Sequence, residues 1–176
     1  ELTSDQKQAV NDIYRDFKKP ESSYRLIQGD VGSGKTIVAL LAAYAIVTAK
    51  EQVAIMAPTE LLAFQHYQFF SNYLKDVKIA LLTSKTKQKD EMKKAISSHQ
   101  YDIVIGTHAM IETDVQFHHL GLIIIDEQHK FGVRTREELI QKAHSKDIIY
   151  LTATPIPRTL ALIAFGDNHV SFIKEK

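Results

Sequence analysis

The sequence predicts an α/β fold: a mostly parallel sheet with helices on both faces. Three observations point there. Short apolar runs alternate with longer helical stretches along the chain. The runs are almost continuously apolar, the mark of strands covered on both faces. Each ends at a polar or glycine-bearing turn, and parallel sheets place their ligands at the carboxyl ends of the strands. With 176 residues, 44% of them hydrophobic, residues 1–176 are expected to form a single domain around one sizeable core.

The elements follow in order. Thr3-x-x-Gln6, in "LTSDQ", is a capping box that starts a helix. Tyr24–Gln28 is the first apolar run, and "QGDVGSGKT" ends it. Lys35–Thr48, rich in alanine and leucine, reads as a helix. Gln52–Ala57 is the second run. Leu61–Leu74 reads as a helix, with Leu62, His66, Phe69 and Tyr73 at helical spacing. Lys78–Leu82 and Ile103–Gly106 are further runs, separated by a polar helix over Gln88–Ser98. Leu122–Asp126 is the most apolar run, and Ile148–Leu151 follows a second polar helix at Arg136–Ala143.

Composition narrows the functions available. A net charge of +1 gives no global pull toward nucleic acid or membrane, so any such role must rest on local features. The chain has no cysteine, which excludes disulfides and thiolate metal sites and suits a cytoplasmic protein. No apolar run approaches the ~20 residues that span a bilayer. The lysines between Lys75 and Lys94 are diluted by Asp76, Asp90 and Glu91 and read as a solvated face. His118-His119 has no further ligand pattern and reads as an exposed loop.

Two stretches carry chemistry. Gly29, four residues, then Gly34-Lys35-Thr36 gives G-x-x-x-x-G-K-T between a strand and a helix. Backbone N–H groups of Gly29, Asp30, Val31, Gly32, Ser33 and Gly34 would turn around a phosphate, aided by the helix N-terminus. Lys35 would reach the β- and γ-phosphates, and the Thr36 hydroxyl would take a place on Mg2+. Asp126-Glu127 closes the most apolar strand. Beside a phosphate loop, Asp126 would hold Mg2+, and Glu127 would orient and deprotonate an attacking water. Otherwise Asp126 caps the next segment and Glu127 is solvated. A small-molecule kinase needs no water-activating acid beside the Mg2+ acid, so the pair favours nucleotide hydrolysis.

These motifs together carry a resemblance. "DEQH" at Asp126–His129 resembles motif II of superfamily 2 helicases and translocases, and "IIIDEQHKFGV" resembles the RecG family of branched-DNA translocases. "GDVGSGKT", "APTELLAFQH" at Ala57–His66, "IGTHAMI" at Ile105–Ile111 and "LTATPIPRTLAL" at Leu151–Leu162 resemble the same family, in its order. Phe64 departs from the family's usual glutamate and Lys130 from its usual arginine. The transcription-repair coupling translocases are similar in "GDVG" and "FGV" but typically carry Asp-Glu-Glu-Gln at motif II.

The resemblance implies the first of two RecA-like motor lobes, a fragment of a longer protein, working with ATP, Mg2+ and branched or duplex DNA. Gln6 would read adenine. Thr59 and Glu60 (motif Ia) and Thr107 and His108 (motif Ib) would contact the DNA backbone, with helix capping as the plainer role. Gln128 and His129 would report the γ-phosphate to Thr152 and Thr154 of motif III. Arg158 would be a phosphate contact or a surface charge. Motifs of the second lobe and the wedge domain are absent from this sequence, so the lobe alone is expected to be nearly inactive. The other functions to weigh are a lobe of another superfamily 2 branch, including an RNA helicase, and a stand-alone nucleotide-binding module or kinase.

Overall fold

The computed structural model describes residues 2–20, 23–29, 34–107, 110, 115–126, 147–153 and 170–173. The order of elements is α1 (Ser4–Lys18), β1 (Ser23–Gly29), α2 (Lys35–Thr48), β2 (Gln52–Met56), α3 (Glu60–Tyr73), β3 (Ile79–Leu82), α4 (Lys89–Ser97), β4 (Ile103–Gly106), β5 (Leu120–Asp126), β6 (Asp147–Thr152) and β7 (Val170–Ile173). The seven strands form one sheet in the order β3-β4-β2-β5-β6-β1-β7, and every pairing is parallel. The expected α/β class and each of the six expected strands are present, with ends moved by one or two residues. The expected helix over Arg136–Ala143 lies outside the described residues.

Side chains alternate across the sheet and divide the core in two. Ile27, Val53, Ile55, Leu122, Ile124, Ile149 and Leu151 pack against α1, α2 and α3. Leu26, Ala54, Met56, Ile123, Ile125 and Tyr150 face the other way, against Ile96 of α4, Met110 and Val115. Both faces of β2, β4, β5 and β6 are buried, which is why their sequences run continuously apolar. The edge strand β3 alternates instead.

Polar pairs stitch the sheet to its surroundings. Arg25 interrupts the apolar β1 and is buried, donating to both carboxylate oxygens of Asp16 on α1 at 2.9 and 3.0 Å. Ser171 of β7 donates to Asp12 of α1 at 2.9 Å. Gln52 is fully buried at the start of β2, and its amide is used up. Its nitrogen donates to the carbonyls of Ile96 and Tyr101, and its oxygen accepts from the backbone N–H of His118 and His119. The two histidine side chains themselves are exposed, as their sequence context implied. No helix among the described residues is long and apolar enough to cross a membrane.

Candidate phosphate-binding site

The carboxyl ends of β5, β6 and β1 lie side by side, at Asp126, Thr152 and Gly29. The register pairs Gln28 with Thr152 and Asp126 with Leu151. β6 thus separates the strand that enters the glycine-rich loop from the strand that ends in Asp126. Two strand spacings, roughly 10 Å, separate their backbones.

Gly34 is the N-cap of α2 and sits in the left-handed region, at φ 93°. Its backbone favours glycine, and the space a Cβ would take holds a flexible side-chain end. A side chain there would be strained by the backbone, and a Cβ would lie 2.0 Å from Gln6 Nε2. That nitrogen donates to the Gly34 carbonyl at 3.3 Å. The same glutamine completes the capping box of α1: its oxygen accepts from Thr3 N–H at 2.8 Å, and its own N–H donates to Thr3 Oγ1 at 3.2 Å. Gln6 therefore serves the helix cap with one atom and the loop with the other.

The start of α2 suits an anion. Among the described residues no side chain caps it, and its first turn holds no acidic residue, so no carboxylate of that turn competes for its N–H groups and positive dipole end. Lys35 and Thr36 open the helix, each half-buried. Asp30, Val31, Gly32 and Ser33 lie outside the described residues.

Asp126 is 7% exposed, at the end of β5. Its Oδ2 lies 2.6 Å from Nε2 of His66, which α3 presents from above the sheet. The sequence places His66 at helical spacing with Leu62, Phe69 and Tyr73, and in the folded chain the buried side of α3 is Ala63, His66 and Phe70. The signal that could have singled it out is an imidazole among otherwise apolar and aromatic positions. Glu127, Gln128 and His129 lie outside the described residues, as do Thr154, Lys130 and Arg158.

The remaining candidates occupy the same edge of the sheet, on the far side of Asp126. β2 and β4 end next to each other, with Ala57 N–H donating to the Gly106 carbonyl at 2.9 Å. Thr59, just past β2, is the N-cap of α3 and accepts from Leu62 N–H at 3.2 Å. Glu60 turns to the loop after β3: Ser84 Oγ donates to it at 2.5 Å, and Lys85 Nζ lies 3.6 Å away. The Ser84 bond, with Lys85 nearby, holds its carboxyl below the ordinary range. Thr107 follows β4 and is buried, its N–H donating to Leu82 and its carbonyl accepting from Met110. His108 lies outside the described residues. Thr152 is 1% exposed.

Thr36 and Asp126 carry oxygen donors of the kind a hard divalent cation takes. The described residues hold no cluster of three or more histidines, cysteines or acids. Mg2+ commonly takes one or two carboxylates and completes its shell with substrate phosphates and water.

Comparisons with known proteins bear on the family and the fold. The model of the DEAD/DEAH box helicase family matches residues 3–163. The ATP-dependent DNA helicase RecG of Streptococcus pneumoniae serotype 4 is 49% identical over 176 residues, and that of Staphylococcus aureus strain MRSA252 is 48% identical over 178. Each alignment takes in 99% of this chain but 26% of the relative, so the chain spans about a quarter of the curated relatives it matches. Among solved structures, RecG bound to a three-way DNA junction superposes with a TM-score of 0.83 at 40% identity, covering 100% of this chain and 24% of that one. The helicase domain of Pyrococcus furiosus Hef gives a TM-score of 0.67 at 23% identity over 92% of this chain and 37% of that one, a likeness of fold alone.

Proposed function

Since this chain belongs to the DEAD/DEAH box helicase family, we propose that it is the ATP-binding motor lobe of a RecG-like DNA translocase. Residues 1–176 form the first of two RecA-like lobes, and the whole protein works on branched DNA in the cytoplasm, in recombination and repair. The observation that carries this is the pairing of an acid-free, uncapped helix start behind a left-handed Gly34 with a buried Asp126 two strands away.

The residues divide the work by place. The backbone from Gly29 to Gly34 and the start of α2 bind the phosphates, and Lys35 adds a charge at the β- and γ-positions. Gln6 keeps the loop's end in place through the Gly34 carbonyl, and its second amide hydrogen and second oxygen lone pair serve to read the adenine edge. Thr36 and Asp126 hold Mg2+, which when bound neutralises charge on the phosphate oxygens. Glu127 orients the attacking water and takes its proton. Gln128 and His129 pass the phosphate state to Thr152 and Thr154.

DNA passes over the exits of β2 and β4. Thr59 and Thr107, with His108, contact its backbone there. A carboxylate cannot accept from a phosphate, so Glu60 acts on DNA indirectly, by fixing Ser84 and Lys85 beside the start of α3. The second lobe contributes an arginine to the transition state, a group worth ~10³–10⁵ in rate in related enzymes. The lobe alone therefore binds nucleotide weakly and turns it over slowly.

The test is hydrolysis by the full-length protein with branched DNA, linear duplex and RNA. Branched DNA should stimulate most, and Glu127→Gln should keep ATP binding while abolishing turnover. Unchanged hydrolysis in Glu127→Gln would place the water-activating acid elsewhere, and stimulation by RNA alone would reassign the substrate.

A further inference from the structure

His66 has no part in the reaction as described, yet it touches the acid on which the metal site depends. Its Nε2 lies 2.6 Å from Asp126 Oδ2, with both side chains only 11% exposed. A buried side chain in that position fixes the carboxylate's rotamer and occupies one of its oxygens. Oδ1 is then the oxygen left for a cation. Carboxylates that bind metals are ordinarily held in this way by an outer partner, and loss of such a partner weakens metal binding.

The position of His66 in the chain adds a second consequence. It lies on α3, two helical turns from Thr59, the N-cap of that helix. About 10 Å of rigid helix connects them. The N-terminal end of α3 meets the loop after β3 through the exposed contacts of Glu60 with Ser84 and Lys85. Across the described sheet edge, α3 thus joins the exits of β2 and β4, where DNA is placed above, to the end of β5.

We propose that His66 is a positioning residue that orients Asp126 for the divalent cation and transmits movement of α3 to it. The inference rests on the phosphate-loop and DNA readings above and goes beyond them by naming the physical link between the two sites. A DNA backbone gripped at Thr59 shifts α3 along its axis. His66 carries that shift to the carboxylate, so metal affinity depends on DNA. The reverse holds by linkage: metal affects DNA affinity by the same factor.

The experiment uses the full-length protein. Mn2+ binding in the presence of ADP is followed by electron paramagnetic resonance, and ADP binding without metal by calorimetry. His66→Ala should weaken Mn2+ by about 10- to 100-fold and leave metal-free ADP binding unchanged. His66→Gln keeps an N–H at similar reach and should restore most of the loss. Duplex DNA should shift Mn2+ affinity about fivefold or more in the wild type and by a smaller factor in His66→Ala. Unaltered Mn2+ affinity in His66→Ala overturns the positioning role. Equal loss of metal-free ADP binding in both variants overturns it too, since it indicates general damage to the lobe. An equal DNA effect in wild type and His66→Ala overturns the transmission. Lys35→Ala separates this idea from its foundation: it should abolish ADP binding with or without metal. A wild type that binds no ADP brings down the phosphate-loop reading, and His66's role with it.

Discussion

Replacing Gly34 by alanine tests the link between α1 and the phosphate loop, and its cost can be worked from two contacts. The residue sits at φ 93°, where a Cβ costs ~1–2 kcal/mol. The new Cβ would also lie 2.0 Å from Gln6 Nε2. The glutamine side chain is flexible at its end and swings away. It then loses its bond to the Gly34 carbonyl and its bond from Thr3 N–H, about 0.5–1.5 kcal/mol each. Gly34→Ala should therefore destabilise the lobe by about 2–5 kcal/mol. The backbone and Gln6 contributions separate in a double-mutant cycle. In a Gln6→Ala background both bonds are already gone, so Gly34→Ala should cost only the backbone ~1–2 kcal/mol. Urea unfolding of the wild type, both single variants and the double variant, followed by circular dichroism, gives the coupling. We expect about 1–3 kcal/mol, with the double variant more stable than the summed singles imply. Additivity within about 0.5 kcal/mol would refute the Gln6–Gly34 link.

Two other perturbations probe the frame around the site. Arg25→Met should destabilise by about 3–5 kcal/mol, because it leaves Asp16 buried without the guanidinium; adding Asp16→Leu should recover much of that loss in the same unfolding assay. The Glu60 carboxyl should titrate below its ordinary value of 4.5, read by carbon-13 NMR, and Ser84→Ala should move its midpoint back up. Because the folded value is the lower one, the Glu60 contacts help stability above about pH 4.5 and are lost as pH falls through the folded midpoint.

The parts of the fold that were legible are those where one local signal decides the outcome. β2, β4 and β5 are buried on both faces, so an uninterrupted apolar run is enough to find them. The glycine-rich loop and the acid pair stand out by spacing and by following such runs, with residues 30–33 and Glu127 outside the described residues. β7 was not legible. Val170–Ile173 is a four-residue strand at the sheet's rim with Ser171 in it, and that serine is buried by a bond to Asp12, 159 positions earlier. Arg25 lies in a run that reads as buried, and its partner Asp16 sits on a different element. His66 shows the same limit at the site. Helical spacing groups it with Leu62, Phe69 and Tyr73 on α3, but its partner is 60 positions away on a strand, and the contact exists only once the sheet order is known. Gln6 was legible in half of its role: the capping box is a local pattern, whereas its bond to Gly34 is not.

The most direct test is calorimetric titration of Mg-ADP into this chain, beside the Lys35→Ala variant. ADP engages the phosphate loop without asking for the second lobe's chemistry. Binding by the wild type that disappears in Lys35→Ala is the expected result, and it would establish Gly29–Thr36 as a working phosphate site in this lobe. A folded wild-type chain that takes up no Mg-ADP, or a variant that binds it equally well, would contradict the assignment.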